Sequence, residues 1–166
     1  EQQEESFQKY LKYVLFQETM DLEIMIGKMS EEDIPDVISI GLQTPEFKTG
    51  TEAQQFYSGQ TLRRWITDKN GVALVAKIKE KLAGFALGYY MSGPNDGYLN
   101  CIVVLPEYQR RSIGKRLLRE TLTQFEAIGE CNHVFGVVKA SNASAINFFE
   151  RQGLQIGKSF RYAEIM

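Results

Sequence analysis

The chain has 166 residues, 43% of them hydrophobic and 24% charged, with a net charge of -2 at neutral pH. That size and balance suit one folded domain with a full core and exclude a disordered or fibrous chain. The acidic total weighs against a general nucleic-acid binder, and no apolar run is long enough to span a membrane.

Residues 5–17 place Phe7, Tyr10, Leu11 and Val14 at helical spacing, which predicts a short amphipathic helix. An N-terminal helical extension is therefore expected over 1–20, native or in part an expression remnant, ahead of a main domain over 21–166. "LEIMIGKM" (22–29) alternates like a strand. "SEEDIPDVISIGL" (30–42) begins with Ser30 as a cap and acids in the first turn, which predicts a helix burying Ile34, Val37, Ile38 and Gly41. Residues 43–58 read as loop and "GQTLRRWITDK" (59–69) as a short helix. "GVALVAKI" (71–78) and "LAGFALGYYM" (82–91) read as strands joined by a tight charged turn. "SGPNDG" (92–97) has hairpin-turn chemistry.

"YLNCIVVL" (98–105) is a nearly continuous apolar run, as in a strand buried on both faces. A helix follows with Ile113, Leu117, Leu118, Leu122, Phe125 and Ile128 inward, stopped by Gly129. "HVFGVVKA" (133–140) predicts another buried strand, and "SNASAINFFERQG" (141–153) a capped helix. Two short strands near 154–158 and 160–165 finish the chain. The run of strand, helix and strand across 98–140 predicts a right-handed parallel crossover. No repeat or linker is visible. The fold class is α/β.

The chemistry-bearing stretch is "VVLPEYQRRSIGKRLL" (103–118), a strand running through a basic turn into a helix. Arg110, Arg111, Lys115, Arg116 and Arg119 cluster there in a chain of negative net charge. The N–H groups of a helix's first turn have no partners inside the helix, and its dipole adds partial positive charge at the same place. Ser112 and Gly114 are small enough for an anion to approach the backbone. A phosphate cradle and a solvated basic helix start with no ligand both fit the composition. "GLQIGKS" (153–159) is one residue short of a nucleotide-binding GxxxxGK[ST] loop, and no GxGxxG exists. "NAS" (142–144) is formally a glycosylation sequon but reads as helix capping. Cys101 and Cys131 match no metal-ligand spacing and read as buried thiols, so no metal is expected. With no secretory leader visible, the cytoplasm is the expected compartment.

Over roughly 22–166 the order of elements resembles the GCN5-related N-acetyltransferases (GNAT). "VxPEYQRRSIG" is similar to that family's pyrophosphate loop, Q/R-x-x-G-x-G/A, and "NASAINFFERQGL" (142–154) to its second signature, N-x-x-A-x-x-x-Y-x-x-x-G-F. The run "KASNASAINFFERQGL" resembles the ribosomal-protein N-terminal alanine acetyltransferases. The resemblance implies a GNAT-like single domain with a mixed central sheet of about six to seven strands flanked by helices, plus the extra N-terminal helix. It implies acetyl-CoA, or another acyl-CoA, as co-substrate. Ile102, Val103 and Val104 would offer backbone groups to the pantetheine arm from a splayed strand edge. Gln109, Arg110, Arg111, Ser112, Ile113, Gly114 and Lys115 would wrap the pyrophosphate. Asn142 and Phe149 would complete the cofactor site.

Three residues depart from the family pattern. Ser112 stands where glycine is usual; if the position needs a positive φ, serine is strained there, and otherwise its hydroxyl is free for phosphate. Phe149 stands where a tyrosine often protonates the leaving thiolate, and Val137 where the ribosomal-protein branch has a glutamate base. Asp96, Tyr98 and Asn100 are the substitute catalytic candidates, with Tyr89, Tyr90 and Tyr162 as further phenols. Asp96 also fits a turn, and the tyrosines also fit half-buried strand positions. His133 reads as structural, and an acetyl-cysteine route through Cys101 is disfavoured. Phe47, Phe56, Tyr57 and Trp65 fit either an acceptor pocket or core packing. The implied activity is acetyl transfer to a primary amine, on a small molecule or a peptide or protein N-terminus, by direct attack in a ternary complex. The alternative is a catalytically weakened acyl-CoA-binding module that senses or scaffolds. No nucleic acid or membrane partner is expected, and the N-terminal helix is available either to cover an edge or to pair two copies as a homodimer.

Overall fold

Strand β2 (Gly71–Ile78) shows why the centre of the sheet is apolar on both sides. Side chains alternate across a strand. Val72, Leu74, Ala76 and Ile78 enter one buried cluster, and Ala73 and Val75 enter another. The computed structural model describes residue 12, residues 23–47 and residues 56–158. Two compact units are present, Glu1–Gly136 and Val137–Met166.

In the first unit, β1 (Ile24–Lys28), β2, β3 (Lys81–Met91), β4 (Asp96–Val104) and β5 (His133–Gly136) form a mixed sheet in the order β1-β2-β3-β4-β5. Neighbours are antiparallel except β4 and β5, which are parallel, as the strand–helix–strand run predicts. Helices α1 (Ile34–Gln43) and α2 (Gly59–Thr67) supply Ile34, Val37 and Leu62 to the cluster with Ala73, Val75, Phe85 and Leu87. Helix α3 (Ile113–Ile128) supplies Ile113, Leu117 and Phe125 to the opposite cluster. A Cβ on Gly88 or Gly97 would stand 2.7 or 2.5 Å from the Phe125 ring, so two strand glycines make the seat for that side chain.

The β2–β3 turn is built from Lys79 and Glu80, both at positive φ (48° and 65°). A two-residue hairpin turn of that hand usually takes Asn-Gly or Asp-Gly, so this one carries local strain. Helix α1 is approached through a single 3-10 turn at Glu31–Asp33. Asp33 Oδ2 accepts from Ser30 N at 2.8 Å and Ser30 Oγ at 2.9 Å, and Oδ1 meets Lys77 Nζ at 2.7 Å.

Several expectations need correction. Five strands are present among the described residues, fewer than the six to seven expected. Residues 154–158 form no strand, and 160–165 lie outside the described residues. The strand expected over 133–140 ends at Gly136 and is half-exposed rather than buried. The helix expected from Ser30 begins at Ile34, after the 3-10 turn. Thr121, not expected in the core, is fully buried on α3, its hydroxyl donating to Leu117 O at 2.8 Å. The helix expected over 5–17 lies outside the described residues apart from residue 12.

In the second unit, α4 (Ala143–Arg151) is the one regular element among the described residues. Asn142 caps it, Oδ1 accepting from Ala145 N at 3.0 Å, as the capping reading of the sequon requires.

Candidate functional site

The turn after β4 is shaped by its backbone. Leu105 N donates to Ala83 O, a 3-10 turn follows at Pro106–Tyr108, and Gln109 Nε2 reaches back to Val104 O at 3.1 Å. Arg110 and Ser112 then take positive φ (61° and 59°), with Arg111 between them outside that region. Alternation of hand along successive residues turns their N–H groups toward one point, the geometry of an anion-binding nest. Arg116 N donates to Ser112 O at 2.9 Å as α3 begins, and the N–H groups before it have no helical carbonyl to reach. The Ser112 side chain makes no capping hydrogen bond.

Positive charge surrounds this point. Arg110, Lys115 and Arg119 are exposed, and the Arg111 guanidinium lies 5.7 Å from the centre of the Tyr108 ring. Arg116 is engaged elsewhere, donating Nη2 to Ile24 O at 2.9 Å, which ties α3 to β1.

Beside the turn, β4 and β5 part. Their pairing joins Asp96–Leu99 to His133–Gly136, while β4 continues along β3 to Val104. Leu105 donates to Ala83, so by antiparallel alternation Val103 bonds toward β3. Ile102 and Val104 then direct their backbone groups to the side on which β5 would have continued. Of the three expected edge residues, alternation selects Ile102 and Val104. The register also slips at this place: Leu87 faces Cys101 and Gly88 faces Leu99, which makes Asn100 a bulged residue.

The catalytic candidates fall into two groups. Asn100 Oδ1 accepts from Tyr57 Oη at 2.9 Å. Asp96 Oδ2 stands 3.9 Å from His133 Nδ1, and Tyr98 packs on Phe135 with ring centres 5.3 Å apart. His133 is exposed and stacks on Phe135 at 5.5 Å. Burial pushes the Cys101 thiol up to about 12, which leaves it neutral and a poor nucleophile. Tyr89 donates to Asp68 Oδ2, and Tyr90 lies between Asn95 Oδ1 and Glu130 O.

The aromatic residues expected either to line a pocket or to pack do pack. Phe56 meets Phe47 at 5.1 Å, Tyr57 at 5.3 Å and Phe85 at 5.8 Å. Tyr57 meets Trp65 at 5.3 Å, and Trp65 Nε1 donates to Gly88 O at 2.7 Å. Burial raises the Tyr57 phenol above its ordinary value, with the hydrogen bond to Asn100 offsetting part of the rise. The Tyr57–Asn100 pair spans 43 residues of sequence and has no local signature, although a lone asparagine inside "YLNCIVVL" marks the bulge.

Val137 and Phe149 belong to the second unit. Val137 is 51% exposed, and Phe149 packs edge-on against Phe148 at 5.3 Å. Tyr162 lies outside the described residues. Among the described residues no cluster of His, Cys, Asp or Glu is arranged to hold a metal, and no helix is long and apolar enough to cross a membrane.

A family model described as "Acetyltransferase (GNAT) family" matches residues 40–154. No curated protein matches the chain. Among solved structures, an aminoglycoside acetyltransferase from an uncultured soil metagenomic sample, in complex with sisomicin, superposes with a TM-score of 0.71 at 20% identity, covering 89% of this chain and 99% of that one. The ribosomal-protein-S18-alanine N-acetyltransferase from Escherichia coli gives 0.62 at 25% identity, covering 78% and 76%. The aminoglycoside N-acetyltransferase AAC(6')-Iy in complex with CoA gives 0.69 at 14% identity, covering 86% and 94%.

Proposed function

Since this chain belongs to the GNAT acetyltransferase family, we propose that it transfers an acetyl group from acetyl-CoA to a primary amine by direct attack in a ternary complex. The observation that supports this most is the joining of an anion nest at 110–112 to the start of α3, beside the parting of β4 from β5. These residues fit the group. A pyrophosphate needs converging N–H donors and positive charge, and both are present at the turn. An amide-rich pantetheine arm needs strand-edge partners, and Ile102 and Val104 direct theirs to the side that β5 has left.

Acetyl-CoA supplies an activated thioester. The chain's contribution is to hold it and to orient an amine against its carbonyl carbon. The amine nitrogen bonds to that carbon, the C–S bond breaks, and the proton lost by nitrogen reaches the thiolate through water. Positioning and carbonyl polarisation supply much of such a rate without a protein base. That suits a chain with phenylalanine at 149 and valine at 137. The same two residues support a second reading, a weakened acyl-CoA-binding module.

The cytoplasm is the compartment proposed, with a small amine or a peptide N-terminus as acceptor. The test is release of free thiol from acetyl-CoA with a panel of polyamines, aminoglycosides and alanine-initiated peptides. At least one class should raise release well above the rate without acceptor. Tight acetyl-CoA binding with no acceptor-dependent release from any class would favour the binding module.

A further inference from the structure

Strand β5 is four residues long, and its register pairs with β4 end at Leu99–Gly136. Parallel pairing is slightly weaker per residue than antiparallel pairing, so this ladder alone fixes the direction of β5 weakly. Both ends of the strand carry further constraints.

At its start, Asn132 reaches across to the β3–β4 turn. Its backbone N donates to Asn95 O at 2.8 Å, and its Nδ2 donates to Pro94 O at 3.4 Å. Asn95 holds φ 60°, a left-handed conformation that asparagine adopts more readily than most residues. Its Oδ1 accepts from the Tyr90 hydroxyl at 3.0 Å, and Glu130 O lies 3.1 Å from the same hydroxyl. Tyr90 is buried near the end of β3. A Cβ on Gly129 would stand 2.6 Å from Tyr90 Oη, so the end of α3 closes on the phenol with no side chain between. The turn, the α3–β5 loop and one buried phenol thus form a lock at the foot of β5. At its other end β5 meets β4 through a glycine. A Cβ on Gly136 would stand 2.6 Å from Leu99 O, so the last register pair is a backbone contact. Beyond it β4 continues with the outward groups of Ile102 and Val104.

We infer that this lock is a positioning device for the cofactor: Tyr90, Asn95 and Asn132, acting through β5, set how far the opening beside β4 stands apart, and so admit the pantetheine arm. The inference rests on the acyl-CoA reading. An amide-bearing arm bonds to a strand edge only within hydrogen-bond reach, so a β5 that swings at its foot either crowds the arm or leaves it loose. The anion nest stands on the turn after β4, and none of the lock contacts reaches it. Arm and pyrophosphate should therefore respond differently when the lock is broken.

The experiment is calorimetric titration of acetyl-CoA and of ADP, which carries a pyrophosphate and no pantetheine. The proteins are the wild type, Asn132→Ala, Tyr90→Phe and a control, Asp33→Asn. Asn132→Ala removes an exposed bond and Tyr90→Phe keeps the buried ring, so both should fold. The wild type should bind acetyl-CoA more tightly than ADP. Each lock variant should weaken acetyl-CoA about three- to tenfold, the contribution of about one hydrogen bond, and leave ADP unchanged. Gly136→Ala should do the same by moving the parting point itself. Asp33 bonds to Lys77, which pairs with Leu82 at the start of β3, far along the strand from Tyr90. Asp33→Asn should therefore lose stability and keep both affinities. Equal weakening of both ligands in the lock variants, weakening of neither, or the same selective loss in Asp33→Asn overturns the lock and leaves the acyl-CoA reading standing. A wild type that binds acetyl-CoA no more tightly than ADP overturns both.

Discussion

Ser112 shows what one residue decides here. At φ 59° it holds the left-handed conformation that glycine adopts without cost, and Arg110 two residues earlier does the same. A non-glycine residue in that region costs about 1–2 kcal/mol. Of the two outcomes left open in the sequence, the structure selects strain. The Ser112 side chain makes no capping hydrogen bond to offset that strain. Ser112→Gly should relieve the strain and stabilise the fold by about 0.5–1 kcal/mol, after the greater freedom of glycine in the unfolded chain is counted. Urea unfolding measures this. An unchanged or lower midpoint would mean that the serine is not strained. At this scale the sequence exposed the small residues and the charges, because both are composition. It did not expose Tyr57 on Asn100, a pair made only when a segment before α2 lies against β4.

Among the elements, α3 was the most legible. Its apolar stripe through Ile113, Leu117, Leu118 and Phe125 has helical period, and all four are buried. β5 was the least legible. "HVFGVVKA" has the apolar run of an eight-residue buried strand, but it pairs with β4 only as far as Leu99. The pairing stops beside the bulge at Asn100 on the neighbouring strand, which no local pattern in 133–140 reports. The start of α1 carries a pH dependence of its own. Burial by itself would raise the Asp33 carboxyl; hydrogen bonds from Lys77 and Ser30 outweigh this and hold it below its ordinary 3.8. A carboxyl lower in the folded state stabilises fully above its unfolded value, and that contribution is lost as pH falls through the folded value. Lys77, raised above its ordinary value by Asp33, contributes below about pH 10 and loses this as pH rises further. Asp33→Asn should therefore cost about 1–3 kcal/mol at pH 7, and the gap to the wild type should close as pH drops below about 4. Melting curves from pH 7 to pH 3 test this; a gap that stays constant would contradict it.

On the scale of the whole molecule, the order of elements in the sequence was enough to reach the family. Strand, basic turn, helix and parallel strand follow one another in the chain, and the crossover rule leaves them few arrangements. The strand count was less accessible, because the alternation across 154–158 is too short to distinguish a strand from irregular chain, and those residues form none. The fold places the mouth of the β4–β5 opening, the anion nest and the Tyr57–Asn100 pair on consecutive stretches of β4 and the turn after it. On the function proposed above, one strand would carry the residues that hold the cofactor.

The measurement that tests this most directly is the melting temperature of the wild type and of Gly114→Glu, each with and without acetyl-CoA at about 100 times the expected dissociation constant. Binding at that level stabilises by about 2.7 kcal/mol, a rise on the order of 5–10 °C for a chain of this size. The wild type should show that rise. Gly114→Glu should fold and show none, because its carboxylate would stand against the pyrophosphate. Equal rises in both proteins would place the cofactor away from the turn, and no rise in the wild type would contradict the acyl-CoA site itself.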